Sequence, residues 1–131
     1  MRSGKFQFYM LQFLYFCSMT ANPFPFKVLF CFENESKILI EIKRTDIQSE
    51  DKSRIYKWLI IRKQNENENE NLIGQLTFQS MEQTDGEQVR QFSEGTLIWD
   101  ADQATFNDEA MKPVKAEEVS EEWLEIIART T

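Results

Sequence analysis

Two runs within residues 26–44 carry an apolar or aromatic side chain at every second position, and this stretch constrains the fold more than any other. Such a period-two pattern, rich in aromatic and β-branched residues, is typical of strands with one buried face. The three residues 34–36 between the two runs are polar and tolerate turn conformations. The stretch therefore predicts an antiparallel hairpin whose apolar faces pack against one core. Those faces are Val28, Phe30 and Phe32 on the first run and Ile38, Ile40 and Ile42 on the second.

Several later segments have the same strand character. Residues 54–63 are apolar on both faces, which indicates a central strand or one covered by a helix on its second face. Turn signals at 84–86 and 93–95 separate further predicted strands. We expect Pro113 to end the strand region, because proline cannot donate a ladder hydrogen bond. These further strands are 72–80, 88–92, 96–100 and a short edge strand at 104–107.

The last segment changes to a helical period. Val119, Trp123, Ile126 and Ile127 follow the i, i+4, i+7, i+8 spacing of one helix face, and glutamates occupy the other face and the first half. We expect a helix over about residues 115–129. The predicted fold is α+β, an antiparallel β-meander or small barrel of six to seven strands closed by one C-terminal amphipathic helix.

Residues 120–127, SEEWLEII, are similar to the closing helix of pleckstrin-homology-like domains, which place a tryptophan where this chain has Trp123. The resemblance implies the same order of strands followed by one helix. It does not extend to lipid binding, because the first hairpin loop contains Glu33 and Glu35 where that family's headgroup site would need basic residues.

The chain of 131 residues is long enough for one domain, and we divide it into a segment 1–18 and a β-rich domain 19–131. Arg2 and Lys5 precede an aromatic run at 6–17 that superficially resembles a signal peptide, but two glutamines interrupt it and no good cleavage site follows. The segment is an extension from an upstream start, a signal or membrane-tethering segment, or an ordinary structured segment. Residues 64–71, QNENENEN, predict a solvated loop.

Charge is distributed unevenly along the chain. Residues 1–64 hold eleven Lys and Arg against six Asp and Glu, whereas residues 65–131 hold four against sixteen. The net charge of −7 opposes nucleic acid and anionic lipid at long range. We therefore expect a protein partner with a basic surface, no nucleic-acid binding and no stable membrane insertion.

The residue types exclude several kinds of active site. There is no histidine, so Ser-His and Cys-His nucleophile pairs and histidine metal sites are excluded. Two cysteines cannot form a thiolate zinc site, and neither glycine-rich phosphate-binding motif occurs. The acidic run 100–109 departs from the calcium-loop template, with Thr105 where glycine is needed and Met111 where glutamate is needed. We expect no catalysis, no cofactor and no metal.

Three functional hypotheses remain. The first is a small, cytoplasmic, non-catalytic protein-binding or adaptor module that acts through an acidic surface containing Glu118, Glu121 and Glu122. The second is a small-ligand carrier whose barrel interior is lined by Tyr56, Trp58 and Trp99. The third is a carboxylate-dependent enzyme, for which no carboxylate pair can be identified from the sequence.

Overall fold

A computed structural model describes residues 23–63 and 72–130, and its main feature is a single antiparallel sheet of nine strands. The expectation of a meander or small barrel of six to seven strands, taken from the residue pattern, is therefore wrong. The strands occur in the spatial order β4-β3-β2-β1-β9-β8-β7-β6-β5. Their bounds are β1 Phe26–Glu33, β2 Lys37–Arg44, β3 Tyr56–Arg62, β4 Leu72–Gln75, β5 Phe78–Thr84, β6 Glu87–Phe92, β7 Gly95–Trp99, β8 Ala104–Phe106 and β9 Glu109–Val114.

The sheet curls because its two edge strands are consecutive in the chain. Only Leu76 and Thr77 separate β4 from β5, although these strands stand at opposite ends of the spatial order. Leu76 N donates to the Trp58 carbonyl of β3 at 2.8 Å, and Ser93 N donates to the Thr77 carbonyl at 2.9 Å. The two residues therefore join the ends of the sheet at one corner and bend it into a half-barrel.

The inner face of the curled sheet encloses the first hydrophobic core. Side chains from β1, β2 and β3 meet those from β6 to β9 there, and the β4–β5 corner adds Leu76. Large aromatic side chains supply much of its volume. The members are Phe32, Leu39, Trp58, Ile60, Leu76, Phe92, Leu97, Trp99, Ala104, Phe106 and Met111.

The outer face of β1 to β3 forms a second core with the C-terminal helix. Helix α2, Glu121–Thr130, buries Ile127 completely and contributes Trp123 and Leu124 as partly buried neighbours. On β3, Trp58 and Ile60 face the first core, whereas Leu59 and Ile61 face the second. This confirms the prediction of a strand with two covered faces. The fully or nearly buried members are Phe26, Cys31, Ile38, Ile40, Ile42, Leu59, Ile61 and Ile127.

A β-bulge changes which residues of the first hairpin share a face. The pairing of β1 with β2 shifts between Val28 and Phe30, so the bulged strand turns its side chains over at Leu29. Phe30 and Phe32 then face inward, while Val28 packs on the second core. The hairpin itself was predicted correctly, but its apolar faces pack against two cores and not one.

Two errors account for the missing strands. The predicted strand 72–80 is two strands, because the chain bends at Leu76 and Thr77 and changes partners from β3 to β6. Strand β9 contains Pro113, which was expected to end the strand region. Residues 109–111 pair with β8, whereas residues 112–114 pair with β1 only. Pro113 therefore has a paired strand on one side alone, and a residue without a backbone N–H is tolerated at such a position.

The helix is shorter than expected. A 3₁₀ turn, Ala116–Glu118, precedes it, and α2 begins at Glu121, where Trp123 N donates to Ser120 Oγ at 3.4 Å. A separate four-residue helix, α1 Lys52–Ile55, lies in the connection from β2 to β3, with Asp51 as its N-cap. The predictions made for residues 1–18 and 64–71 lie outside the described residues.

Candidate functional site

Five aromatic rings on the inner face form a continuous layer, which we call the aromatic layer: Phe30, Phe32, Trp58, Phe92 and Trp99. The centroid of Phe30 lies 5.1 Å from that of Trp99 and 6.3 Å from that of Trp58, with which it stacks. Trp58 and Phe92 meet edge to face at 5.3 Å. The layer is built by the period-two alternation of β1, β3, β6 and β7, which places aromatic residues from four strands on one face.

Two charged side chains, Arg90 and Glu41, border the aromatic layer. Arg90 on β6 is only 8% exposed, and its guanidinium carbon lies 4.8 Å from the centroid of the Trp99 ring. It donates to Gln88 Oε1 at 3.1 Å. Glu41 pairs in register with both Phe30 and Trp58, and burial raises the pKa of its carboxyl group, although the Arg90 charge and a hydrogen bond from Trp58 oppose that shift. The layer therefore contains a positive charge that makes no ion pair within the described residues.

The aromatic layer ends at a surface that the fold leaves uncovered. Phe30 is 37% exposed, Tyr56 36%, Phe78 50% and Met81 58%. Phe78 contacts Phe92 of the layer at 6.2 Å, and Met81 is paired in register with Arg90 and so shares its inward face. Large apolar side chains that face a core yet remain in water mark an interaction surface more often than isolated exposed residues do.

Strand β5 forms the border of that surface. Among the described strands it pairs with β6 alone, all seven of its residues are exposed, and no described residue pairs with the backbone groups of its other edge. A register shift between Phe78 and Ser80 disturbs its first part, and Ser80 to Thr84 then continue in regular pairing. We call the β5 edge together with Phe30, Tyr56, Phe78 and Met81 the open edge. An extended peptide could add there as a further strand, with main-chain hydrogen bonds to β5 and apolar side chains on the exposed rings.

The three aromatic residues predicted to line a cavity lie close to this surface. Trp58 and Trp99 are brought together, with centroids 6.3 Å apart, and both are buried in the packed aromatic layer. Tyr56 points along the same face of β3 but lies at the rim, where Lys43 Nζ is 5.8 Å from its ring centroid. The sequence pattern found this face, but it gave no sign that Phe78, Met81 and Arg90 would complete it.

The acidic residues predicted as a contact surface lie elsewhere. Glu118 belongs to the 3₁₀ turn, whereas Glu121 and Glu122 form the first turn of α2, and all three are exposed. Negative charge in the first turn of a helix is stabilised by the helix dipole, so these positions also have a structural explanation. Strands β1 to β3 separate these glutamates from the open edge, because α2 packs on the outer face of those strands.

The described residues contain no group of three or more acidic or cysteine side chains placed to hold a metal ion. Within the same ranges no helix has the length and apolar character needed to cross a bilayer. Comparison of the chain with protein-family models, with curated proteins and with solved structures gives no match.

Proposed function

We propose that this protein is a non-catalytic binding module that captures an extended segment of another protein at the open edge. The observation that carries the proposal is the fully exposed β5 strand, whose inward side chains Phe78 and Met81 are at least half exposed beside the aromatic layer. Added strands gain affinity from the main chain and specificity from alternate side chains, and the open edge offers partners for both.

The charges around the open edge define the chemistry of the segment. Arg90 and Lys43 are positive and lie on the inward side, where Glu41 is the opposing charge and has a raised pKa. The bound segment carries apolar side chains at alternate positions and an acidic or other acceptor group beside Arg90. Such a group would use a buried cation that has no ion-pair partner within the described residues.

The test uses a displayed library of random 12-residue peptides and two variants that add the same charge to neighbouring positions. Met81→Glu places a carboxylate beside Arg90 on the inward face of β5, whereas Ser80→Glu places it on the opposite face, because Ser80 pairs with Gln91. We expect selected peptides to alternate apolar residues and to bind Met81→Glu at least about tenfold more weakly, which corresponds to about 1.4 kcal/mol, because the new carboxylate competes with the peptide's acceptor group for Arg90. Ser80→Glu should bind them as the parent chain does.

Hydrogen exchange of the complex locates the contact. Amides of β5 should become protected when the selected peptide binds, because an added strand satisfies them. Equal binding by both variants, protection confined to another element, or a library that yields no binder would overturn the proposal. Pairing of β5 between two copies of the chain, detected as a dimer that Met81→Glu dissociates, would also overturn it, since the edge would then be closed.

We place this activity in the cytoplasm. The supporting observation is that Cys31, the one cysteine among the described residues, is a free thiol, as is usual where disulfides are not maintained.

A further inference from the structure

A pocket of about 420 Å³ opens where β3 ends and β4 begins. Its apolar floor consists of Ile60, Leu76 and Phe106, which belong to the first core. Neither Tyr56 nor the two tryptophans of the aromatic layer line it. The volume falls within the usual range for sites that hold a small molecule.

Two opposite charges on the pocket wall form no ion pair with any residue that the structure describes. Lys37 and Glu109 form an ion pair with each other, so their charges are balanced. Arg62 and Glu94 also line the pocket, but neither forms an ion pair with any described residue, including the other. They lie on different halves of the sheet, Arg62 at the end of β3 and Glu94 in the turn between β6 and β7.

The carboxylate of Glu94 is held in place by its neighbours. Thr77 N donates to Glu94 Oε1 at 2.8 Å, and Thr77 Oγ1 donates to Oε2 at 3.0 Å. The backbone hydrogen bond is the main reason why the pKa of Glu94 is lowered, so the group is ionised at neutral pH. Each carboxylate oxygen can accept a second hydrogen bond, which leaves Glu94 able to bind a cationic group.

Gly74 keeps the pocket open. It pairs with Ile60, so a side chain at this position would point inward, and an added Cβ would meet Ile60 Cγ2 at 3.5 Å, an ordinary contact distance. Its backbone lies outside the left-handed region, so another residue could adopt the same conformation. A glycine here is therefore not required by the turn or by strain, and its visible effect is to leave space on the pocket wall.

We propose that the pocket binds a small zwitterion with an apolar body, the chemistry of a free apolar amino acid. Arg62 binds the carboxylate of the ligand, Glu94 binds its ammonium group, and the apolar side group rests on Ile60, Leu76 and Phe106. A ligand with both charges matches the pocket better than an anion alone, because Glu94 and Glu109 would repel an anion that lacks a compensating cation. No residue that lines the pocket belongs to the open edge, although Thr77, which holds Glu94, directly precedes Phe78.

The test is calorimetric titration of the full chain with L-phenylalanine and two blocked analogues. N-acetyl-L-phenylalanine lacks the ammonium group, and L-phenylalaninamide lacks the carboxylate. We expect saturable binding of the free amino acid and at least about tenfold weaker binding of each analogue, the effect of losing about 1.4 kcal/mol from one charged contact. Absence of saturable binding, or equal binding of either analogue, would overturn the proposal.

Three variants locate the binding. Gly74→Leu should abolish it by filling the pocket, and Arg62→Gln should weaken it at least about tenfold. Arg54→Gln removes another exposed arginine outside the pocket and should have no effect. If Gly74→Leu does not fold, Arg62→Gln decides the question, since an exposed side chain at a strand end can be exchanged without loss of core contacts. Binding that survives Arg62→Gln unchanged refutes the assignment, and loss in Met81→Glu would move the ligand to the open edge and refute it equally.

Discussion

Arg90 is the one charged side chain among the described residues that is almost fully buried, and its neighbours explain how the fold tolerates it. The Trp99 ring offers a cation–π contact, Gln88 and the Val89 carbonyl accept hydrogen bonds, and Glu41 supplies an opposing charge at a longer range. Burial lowers the pKa of Arg90, but a guanidinium remains protonated under all ordinary conditions. Several partial contacts, and not one ion pair, therefore offset the free energy that it costs to bury this charge.

Glu41 gives the clearest pH dependence at this scale. Because burial raises the pKa of its carboxyl group in the folded protein, folding is favoured by the protonated form and opposed by the ionised one. Its contribution to stability is therefore fully present below the ordinary glutamate pKa and is lost as pH rises through the raised value. We expect Glu41→Gln to increase the free energy of unfolding at pH 7 by about 1 kcal/mol or less, given the partial exposure of the group.

Urea denaturation at pH 7 and at pH 4.5 tests this expectation. The advantage of Glu41→Gln should shrink at the lower pH, where the native carboxyl group takes up its proton. Glu35→Gln, in the exposed turn between β1 and β2, serves as the matched control and should stay within about 0.5 kcal/mol of the parent chain. A parent chain that is more stable than Glu41→Gln at pH 7 would mean that attraction to Arg90 outweighs the cost of burial.

At the scale of elements, helix α2 depends on its packing. A ten-residue helix is marginal in water, so contacts with the outer face of the sheet must stabilise it. Ile127 is fully buried there, whereas Trp123 is only partly buried. Ile127→Ala should lower the free energy of unfolding by about 2–5 kcal/mol. Chemical denaturation checks this value, with Glu122→Gln expected within about 0.5 kcal/mol of the parent chain. An Ile127→Ala midpoint equal to that of the parent chain would show that the helix does not stay on the sheet.

The acidic face of the same helix is a separate prediction. If Glu118, Glu121 and Glu122 contact a basic partner, reversing all three to lysine should slow association, and the salt dependence of the on-rate should decrease. Stopped-flow association with a basic partner of the chain measures both quantities. The matched control reverses Glu35, Glu50 and Asp102, which are exposed and lie outside the helix. Equal on-rates for the two triple variants would mean that the helix face is only solvated surface.

Particular elements show how far the sequence could predict this fold. The alternation of side chains along the strands predicted the first hairpin and the two covered faces of β3. The helical spacing of apolar residues predicted the final helix. Each of these patterns depends on local periodicity. The Asp85-Gly86 turn was also recognisable, and both residues have the positive φ of a hairpin turn. A second such turn at Asn107 and Asp108 was missed, and with it β9, because Pro113 was interpreted as the end of the strands.

The candidate sites were harder to predict, because they depend on which strands meet. Alternation places Trp58 and Trp99 on a buried face, but their contact with each other follows from the curl of the sheet. The exposure of Phe78 and Met81 depends on β5 being an edge strand, which only the spatial order reveals. Likewise, Arg62 and Glu94 face one pocket because the two sheet halves approach each other, and no local pattern carries that information.

At the scale of the whole molecule, every core residue that the structure describes lies after Pro23. The division at residue 18 stays a prediction, and a truncated chain starting at Met19 tests it. We expect that chain to unfold cooperatively with a melting temperature within a few degrees of the full chain, because it retains all the described core residues. Calorimetric scans of the two chains give the comparison. A truncated chain that precipitates or melts without cooperativity would show that residues 1–18 contribute to the core.

The strand order also sets how the chain reaches this structure. Seven of the strand contacts join neighbours along the chain, and the pairing of β1 with β9 is the exception. Across that exception Asn34 Nδ2 donates to the Ala110 carbonyl, a residue 76 positions away. Strands β1 to β4 and strands β5 to β9 can each pair with neighbours along the chain, whereas joining the two groups costs the entropy of closing one long loop. Substitutions along the β1–β9 seam should accordingly slow refolding, so that this single seam governs how fast the native molecule is reached.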